Sequence, residues 1–408
     1  EKVFNKKKAT VGFIFVTMLM DIIGIGIIIP VLPKLLEELI GSNLSDAARV
    51  GGWLLFSYAL MQFLFSPLIG NISDKYGRRK VLLVSLFVFT IDYLILAFSS
   101  TLFWLFLGRI LAGITGASAS TSVAYIADIS TAENKAKNYG VIGAAFGIGF
   151  ILGPLIGGVL GQYGSRVPFY TAAVLCFINF LYALFFLPES LPVTKRRPID
   201  WKSANPIGSI RFFAKYKPIL LLMVAMFFMY MAGHAVNTTW TFFTMYRFGW
   251  DEKMVGISLA VVGVMVSLVQ GFLVRWSNPK FGNAKNILAG LTINMIGLFL
   301  FSIAKESWML IVFLVPYCIG GIAGPALQTE VTNYVNENEQ GQLQGTINSI
   351  NSSTAIFGPL IMTGLFHYFT QPTAILQLPQ APFVMGAIFQ LLAVIFAYRS
   401  LKKYSTSL

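Results

Sequence analysis

The chain has 408 residues, of which 56% are hydrophobic and 12% charged, with a net charge of +13 and a mean hydropathy of +0.72. Soluble domains carry roughly twice that charged fraction, so this composition excludes a water-soluble fold and makes lipid the solvent for most of the chain. Cys176 and Cys318 both lie inside apolar runs, which argues against a disulfide framework or a cysteine metal site; no metal and no cofactor are expected.

A helix needs about 20 apolar residues to cross the hydrocarbon core. Twelve such runs are read in chain order, near 9–32, 50–72, 81–99, 101–126, 139–160, 167–187, 218–245, 254–274, 285–304, 308–328, 343–367 and 381–399. The first already exceeds the core of a cleavable signal peptide. Ten-residue alternation of the barrel kind is absent. The expected fold is therefore all-α, with twelve transmembrane helices in two pseudo-symmetric six-helix bundles. The bundles are expected over 1–187 and 218–408, joined by a basic linker at 188–217 that holds Lys195, Arg196, Arg197, Lys202, Arg211, Lys215 and Lys217.

Lys and Arg are retained on the cytoplasmic side of a membrane. Lys34, Arg49, Arg166, Arg247, Lys253 and Lys305 fall in one set of loops and Arg109 inside a span. All other Lys and Arg fall in the termini and the alternate loops. This asymmetry predicts both termini in the cytoplasm and accounts for the positive charge as topology, which removes the case for nucleic-acid binding.

Landmarks of the first half recur 205 residues later: Gly77 as Gly282, Gly140 as Gly345, and Gly153-Pro154 as Gly358-Pro359. A common offset argues for two parallel repeats, an arrangement that places a ligand site at the bilayer midplane and permits alternating access. The intramembrane charges are not repeated. At the same offset Asp21 falls on Met226, Asp92 on Gly297 and Arg109 on Leu314. A charge within a span costs at least ~2.5–3.5 kcal/mol on insertion scales. At about 1.5 Å per residue, all three lie roughly 16–18 Å from the same face. Asp92 and Arg109 can neutralise each other. Asp21 has no such assured partner, and desolvation of a carboxyl in an apolar cavity suits it to exchanging protons near neutral pH. Asp21 is expected to carry a proton or cation, with Asp92 and Arg109 in the same coupling system. Tyr58, Gln62, His234, Asn237, Trp240, Gln328 and Asn348, polar or aromatic groups within spans, are the expected ligand-facing set for an amphipathic compound. His367 sits at a span end.

The run Gly70-Asn71-Ile72-Ser73-Asp74-Lys75-Tyr76-Gly77-Arg78-Arg79-Lys80 resembles the loop signature of the major facilitator superfamily. Gly70 would allow close helix approach, Gly77 a tight turn, and Asp74 an acid on a neighbouring helix N-terminus. Asp128 can pair with Arg78 or Arg79 and join this latch, whose counterpart near Gly282 has Asn278 in place of the acid. Leu105, Arg109, Gly113 and Gly116 match the superfamily's fourth-helix pattern. Gly149, Gly153, Gly157 and Gly161 recur every four residues beside Pro154, a face for close packing similar to the antiporter motif of superfamily drug exporters.

The match narrows further. Asp21 through Pro33, Tyr58-Ala59-Leu60-Met61-Gln62-Phe63, Asp92-Tyr93, Ala124 through Asp128, Gly324-Pro325-Ala326-Leu327-Gln328 and Gln340 through Gly345 closely resemble the tetracycline–proton antiporters across essentially the whole chain. The resemblance implies a monomeric exporter of a bulky drug in a bacterial inner membrane, exchanging it for protons and not acting as an enzyme. A symporter or uniporter for a sugar, lipid or metabolite is the alternative reading. Two positions depart from the family: its ninth-helix aspartate falls on Asn294, and its eighth-helix histidine near Val266.

Overall fold

The structure, a computed structural model, describes residues 11–116, 118–131, 135–196, 217–335 and 340–404. Arg197, Lys202, Arg211 and Lys215 of the basic linker lie outside the described residues. The first half contains α1 (Val11–Ile28), α2 (Leu32–Ile40), α3 (Leu44–Tyr76), α4 (Arg78–Phe98), α5 (Leu102–Thr115), α6 (Ser118–Ile129), α7 (Lys135–Gly161) and α8 (Val167–Phe186). The second contains α9 (Lys217–Phe248), α10 (Glu252–Leu268), α11 (Val274–Ile303), α12 (Ser307–Ile319), α13 (Ala323–Asn333), α14 (Gln340–Thr370) and α15 (Ala381–Tyr404). A π-helical turn, Val269–Leu273, joins α10 to α11, and a 3-10 turn, Gly320–Ile322, joins α12 to α13.

Among the described residues, ten helical stretches are long and apolar enough to cross a membrane. One of them, Glu252–Ile303, runs 52 residues and contains two of the expected spans, the eighth and ninth. The eleventh span, α14, is not among the ten. It is a 31-residue helix whose first half carries Gln342, Gln344, Asn348 and Asn351, which lowers its hydropathy while leaving its length ample. Splitting the long stretch and adding α14 recovers twelve crossings. Pro67, Pro154, Pro316 and Pro359 all sit inside these helices, as neighbouring helices in a bundle permit.

The chain forms two compact units, one of Glu1–Gly41, Ser57–Asn205 and Asp251–Ala260, the other of Ser42–Phe56, Pro206–Trp250 and Val261–Leu408. Helix α3 thus begins in the second unit and continues in the first, and α10 does the reverse. In the first unit, α1 lies against α7 at backbone contact. A Cβ on Gly26 would stand 2.8 Å from Pro154 Cδ and 2.9 Å from Gly153 Cα. The opening turns of α10 use the next face of α7, where Gly256 and Gly158 meet in the same way. In the second unit, Gly52 of α3 abuts Thr363 and the Pro359 carbonyl of α14. Its core, which includes Met223, Ile287, Leu327, Leu343 and Ala397, is fully buried.

The repeat has a conformational signature. Gly77 has φ +103° and Gly282 φ +75°, the region that disfavours side chains, so the same tight turn recurs at the same offset. Between the first two spans the sequence reading expects only a loop, but Leu32–Ile40 is helical. Pro33 lies at its start, where the missing N–H is harmless, and Gly41 ends it at φ +61°, its N–H donating to the Glu37 carbonyl. This short element is amphipathic: Leu35 and Leu36 are buried, while Glu38 accepts a 2.7 Å bond from Ser165 and Lys34 Nζ lies 2.9 Å from Glu252 Oε1.

The hydrogen bond to Glu252 holds the Lys34 ammonium above its ordinary pKa of 10.5, against a smaller opposing effect of burial. A raised amine pKa contributes stability that is complete below the unfolded value and is lost as pH rises through the folded one. Lys34 is half exposed, so screening limits the pair to about 0.2–1 kcal/mol. A double-mutant cycle of Lys34→Ala and Glu252→Gln should show that coupling in unfolding measurements at pH 8, shrinking as pH is raised beyond about 10.5. Coupling of equal size throughout would contradict it.

Candidate functional site

The glycine seam between α1 and α7 sets the azimuth of α1. Ile22 lies over Gly149, Gly26 over Gly153, and the Ile27 carbonyl over Gly157. Asp21 thereby borders a cavity of about 140 Å³ inside the first unit, together with Thr17, Met18, Tyr58, Gln62, Phe89 and Ser122. Gln62 Nε2 donates 2.9 Å to the Gly116 carbonyl and lies 3.4 Å from Tyr58 Oη. The cavity wall is therefore apolar except for one carboxyl, one amide, one phenol and two hydroxyls.

Asp92 and Arg109 form an ion pair. Asp92 is 1% exposed, and Gly108 allows the approach, since a Cβ there would stand 2.6 Å from Asp92 Oδ1. The Arg109 guanidinium carbon also sits 5.8 Å from the Tyr58 ring centroid, the separation at which a cation is attracted to a ring face. Gly113 brings α5 against the Tyr58 backbone. A continuous route of contacts thus leads from Asp92 through Arg109 to Tyr58 and the cavity that Asp21 borders. Asp92 is paired with Arg109 in the wall, and Asp21 borders the cavity.

The signature loop forms a second polar centre. Arg78 pairs with Asp74 at 2.5 Å and with Asp128 at 3.1 Å, also donates to Ser73, and Ser190 Oγ donates 3.0 Å to Asp128. The acid at the N-terminus of α4 is Glu189, which accepts the Arg78 backbone N–H at 2.9 Å and the Leu191 N–H at 3.1 Å. Asp74, expected on a helix N-terminus, instead lies one turn before Arg78 and binds its side chain. Glu189 was not singled out from sequence. Its signal is that of an acid directly after span six, at the head of a strongly basic segment. Gly77 is required both by its φ and by Glu189, which lies where a Cβ would stand. Gly70, expected to permit close packing, has no neighbouring helix within 4 Å of its Cβ position among the described residues. In the second half Asn283, at the position matching Arg78, donates 3.2 Å to Glu330, and Asn286 donates to Asn278. That latch is built with a single charge.

In the second unit, Asn237, Gln328 and Asn348 are exposed on spans, and Gln328 donates 3.2 Å to Gln344. Amides at such positions need water or a polar ligand beside them, since hydrocarbon would leave them unpaired. Trp240, expected to face ligand, is 2% exposed and packs edge-on against Trp250, Phe301 and Phe383 at 5.2–6.4 Å. It belongs to a buried aromatic cluster. His234 stands directly over Gly358, and its Nδ1 is buried with no hydrogen-bond partner among the described residues. Asn294 donates 2.8 Å to the Tyr317 carbonyl, at the place where α12 tightens into its 3-10 turn. An ionised aspartate could not make that bond. Val266 is 40% exposed. His367 bonds to Ser45 and lies 3.5 Å from Asp46.

The family model of the Major Facilitator Superfamily matches residues 14–359, and again 222–406. The class C tetracycline resistance protein of Escherichia coli is 40% identical over 86% of this chain and 88% of its own length. The class H tetracycline resistance protein of Pasteurella multocida is 36% identical over 96% of both. Among solved structures, the nucleoside transporter NupG aligns at TM-score 0.77 and 15% identity over 97% of this chain and 98% of its own. The human organic anion transporter MFSD10 aligns at 0.72 and 24% identity over 95% and 98%. This is a multi-pass membrane protein of the transporter class, with the major facilitator fold. The chain belongs to the Major Facilitator Superfamily, beside the tetracycline resistance proteins.

Breaking a buried ion pair on one side leaves an uncompensated charge, at a cost of about 3–5 kcal/mol. Asp92→Asn should therefore lower stability in detergent by that order, and adding Arg109→Gln should recover most of the loss. A double variant as unstable as the single one would show that the pair is not what holds this wall together.

Proposed function

We propose that the protein is a drug–proton antiporter that exports a tetracycline-like amphipathic compound by alternating access. The observation that carries this reading is Asp21 bordering a small, largely apolar cavity beside Tyr58 and Gln62, while Asp92 is taken up by Arg109. An acid in such a place can hold either a proton or the charge of an arriving ligand, and that exclusion couples two fluxes. Coupling one proton provides ~2.3 kcal/mol per 100 mV of membrane potential, and a hundredfold proton gradient adds ~2.7 kcal/mol.

Tetracycline as cargo is supported by the names of the relatives at 36–40% identity. Tyr58 and Gln62 are the cargo-facing groups of the first unit; in the second unit Asn237, Gln328, Asn348 and His234 are the polar groups on spans suited to that role, with Trp240 in the aromatic core beside them. Gly149, Gly153, Pro154 and Gly157 seal α1 against α7. Gly70, Asp74, Gly77, Arg78 and Asp128, with Glu189 added, form the latch. The bundles are 1–187 and 218–408 with a cytoplasmic linker at 188–217. The distribution of Lys and Arg supports cytoplasmic termini in a bacterial inner membrane. The working unit is a monomer that binds protons, drug and lipid and has no nucleic-acid partner or enzymatic reaction.

Everted vesicles carrying the Asp21→Asn variant test this directly. Proton-driven uptake of tetracycline should fall to background while the folded protein remains in the membrane. Full proton-driven uptake by the variant would overturn the carrier role.

A further inference from the structure

At the junction of α10 and α11 the second unit has an open apolar groove of about 550 Å³, lined by Leu268, Val269, Phe272, Leu273 and Trp276. The groove coincides with the π-helical turn Val269–Leu273. A π turn places an extra residue in the coil, splays the side chains on either side, and is found mostly where a helix has a task beyond spanning. Phe272 is 73% and Trp276 53% exposed, so these rings are not part of the protein core. Apolar surface of this kind on a membrane protein meets acyl chains, and on that ground alone any lipid would serve.

Charge makes the groove selective. Lys280 Nζ sits 4.4 Å above the Trp276 ring, and Phe281 contacts the same ring edge-on at 5.8 Å. Arg275, on the same helical segment, and Lys285, just beyond the turn at Gly282, are exposed. Between Lys253 and Lys305 the sequence contains no Asp or Glu, and among the described residues none of the three cations is in an ion pair. Tryptophan beside lysine at the end of a span marks the bilayer boundary, where basic residues attract anionic headgroups. An apolar slot, an aromatic ring at its rim and a cation held on that ring match, in order, an acyl chain, the glycerol level and a phosphate.

We propose that this groove is a binding site for an anionic glycerophospholipid of the membrane, its chain in the π-turn slot and its headgroup on Lys280. The site lies outside the transport cavity and requires only that the protein spans a bilayer. It gives the π turn a role, which is to hold the slot open without interrupting the span.

The probe is a brominated phospholipid, which quenches tryptophan at contact. The full-length protein and its Trp276→Phe variant are reconstituted in mixtures of ordinary lipid with brominated phosphatidylglycerol or brominated phosphatidylcholine, and the difference between them isolates Trp276. Anionic lipid should outcompete zwitterionic lipid at this ring. Lys280→Ala should lower that preference about fivefold, the effect of one interfacial cation, and Lys280→Arg should preserve it. High salt should weaken it in the parent protein. Equal quenching by the two headgroups, or a preference undiminished in Lys280→Ala, would overturn the proposal.

Discussion

Two helix backbones touch where Gly26 of α1 meets Gly153 and Pro154 of α7, and the cavity that Asp21 borders depends on that contact. Helices with ordinary side chains pack 8–10 Å apart. Removing the side chains lets dispersion act between main chains and fixes α1 in rotation as well as distance. Ile22 then lies over Gly149, and its neighbour Asp21 is left at the cavity. The seam also explains why Gly149, Gly153 and Gly157 recur on one face of α7: a Cβ at Gly153 would strike Gly26 Cα at 2.7 Å, and overpacking at such a place costs typically 1–3 kcal/mol.

Around that seam the charged groups have divided tasks. Asp92 and Arg109 neutralise each other, and Arg109 in turn faces Tyr58. Replacing such a pair with apolar residues is often neutral or stabilising, so its presence points to a use beyond stability, and its contact with the cavity wall supplies one. The second half does not repeat these charges. It keeps the turn at Gly282 and the proline of α14, but at the common offset Asn283 stands for Arg78, Met226 for Asp21, Gly297 for Asp92 and Leu314 for Arg109.

Much of this was legible in the sequence. Twelve spans followed from hydropathy, and the offset linking Gly77 to Gly282 anticipated two turns that share a positive φ. The depth arithmetic put Asp92 and Arg109 at one level, where they meet. Other features were hidden for physical reasons. Helix α2 is too short and too polar to register as a span, and it is anchored by the burial of Leu35 and Leu36 and by Lys34 and Glu38 reaching distant partners. Trp240 reads as a ligand-facing ring because its neighbours Asn237 and Thr238 are polar, yet 100° per residue turns it into an aromatic cluster. Glu189 caps α4 from 111 residues away, a relation that no local pattern encodes. The π turn leaves the hydrophobic pattern of the eighth span almost unaltered.

The account rests on Asp21 exchanging its proton for cargo. Adding tetracycline to the purified protein in weakly buffered detergent solution and recording proton release tests this most directly. The account predicts release on binding in the parent protein and none in Asp21→Asn at saturating drug. Undiminished release from that variant would contradict it and move the exchange to another group.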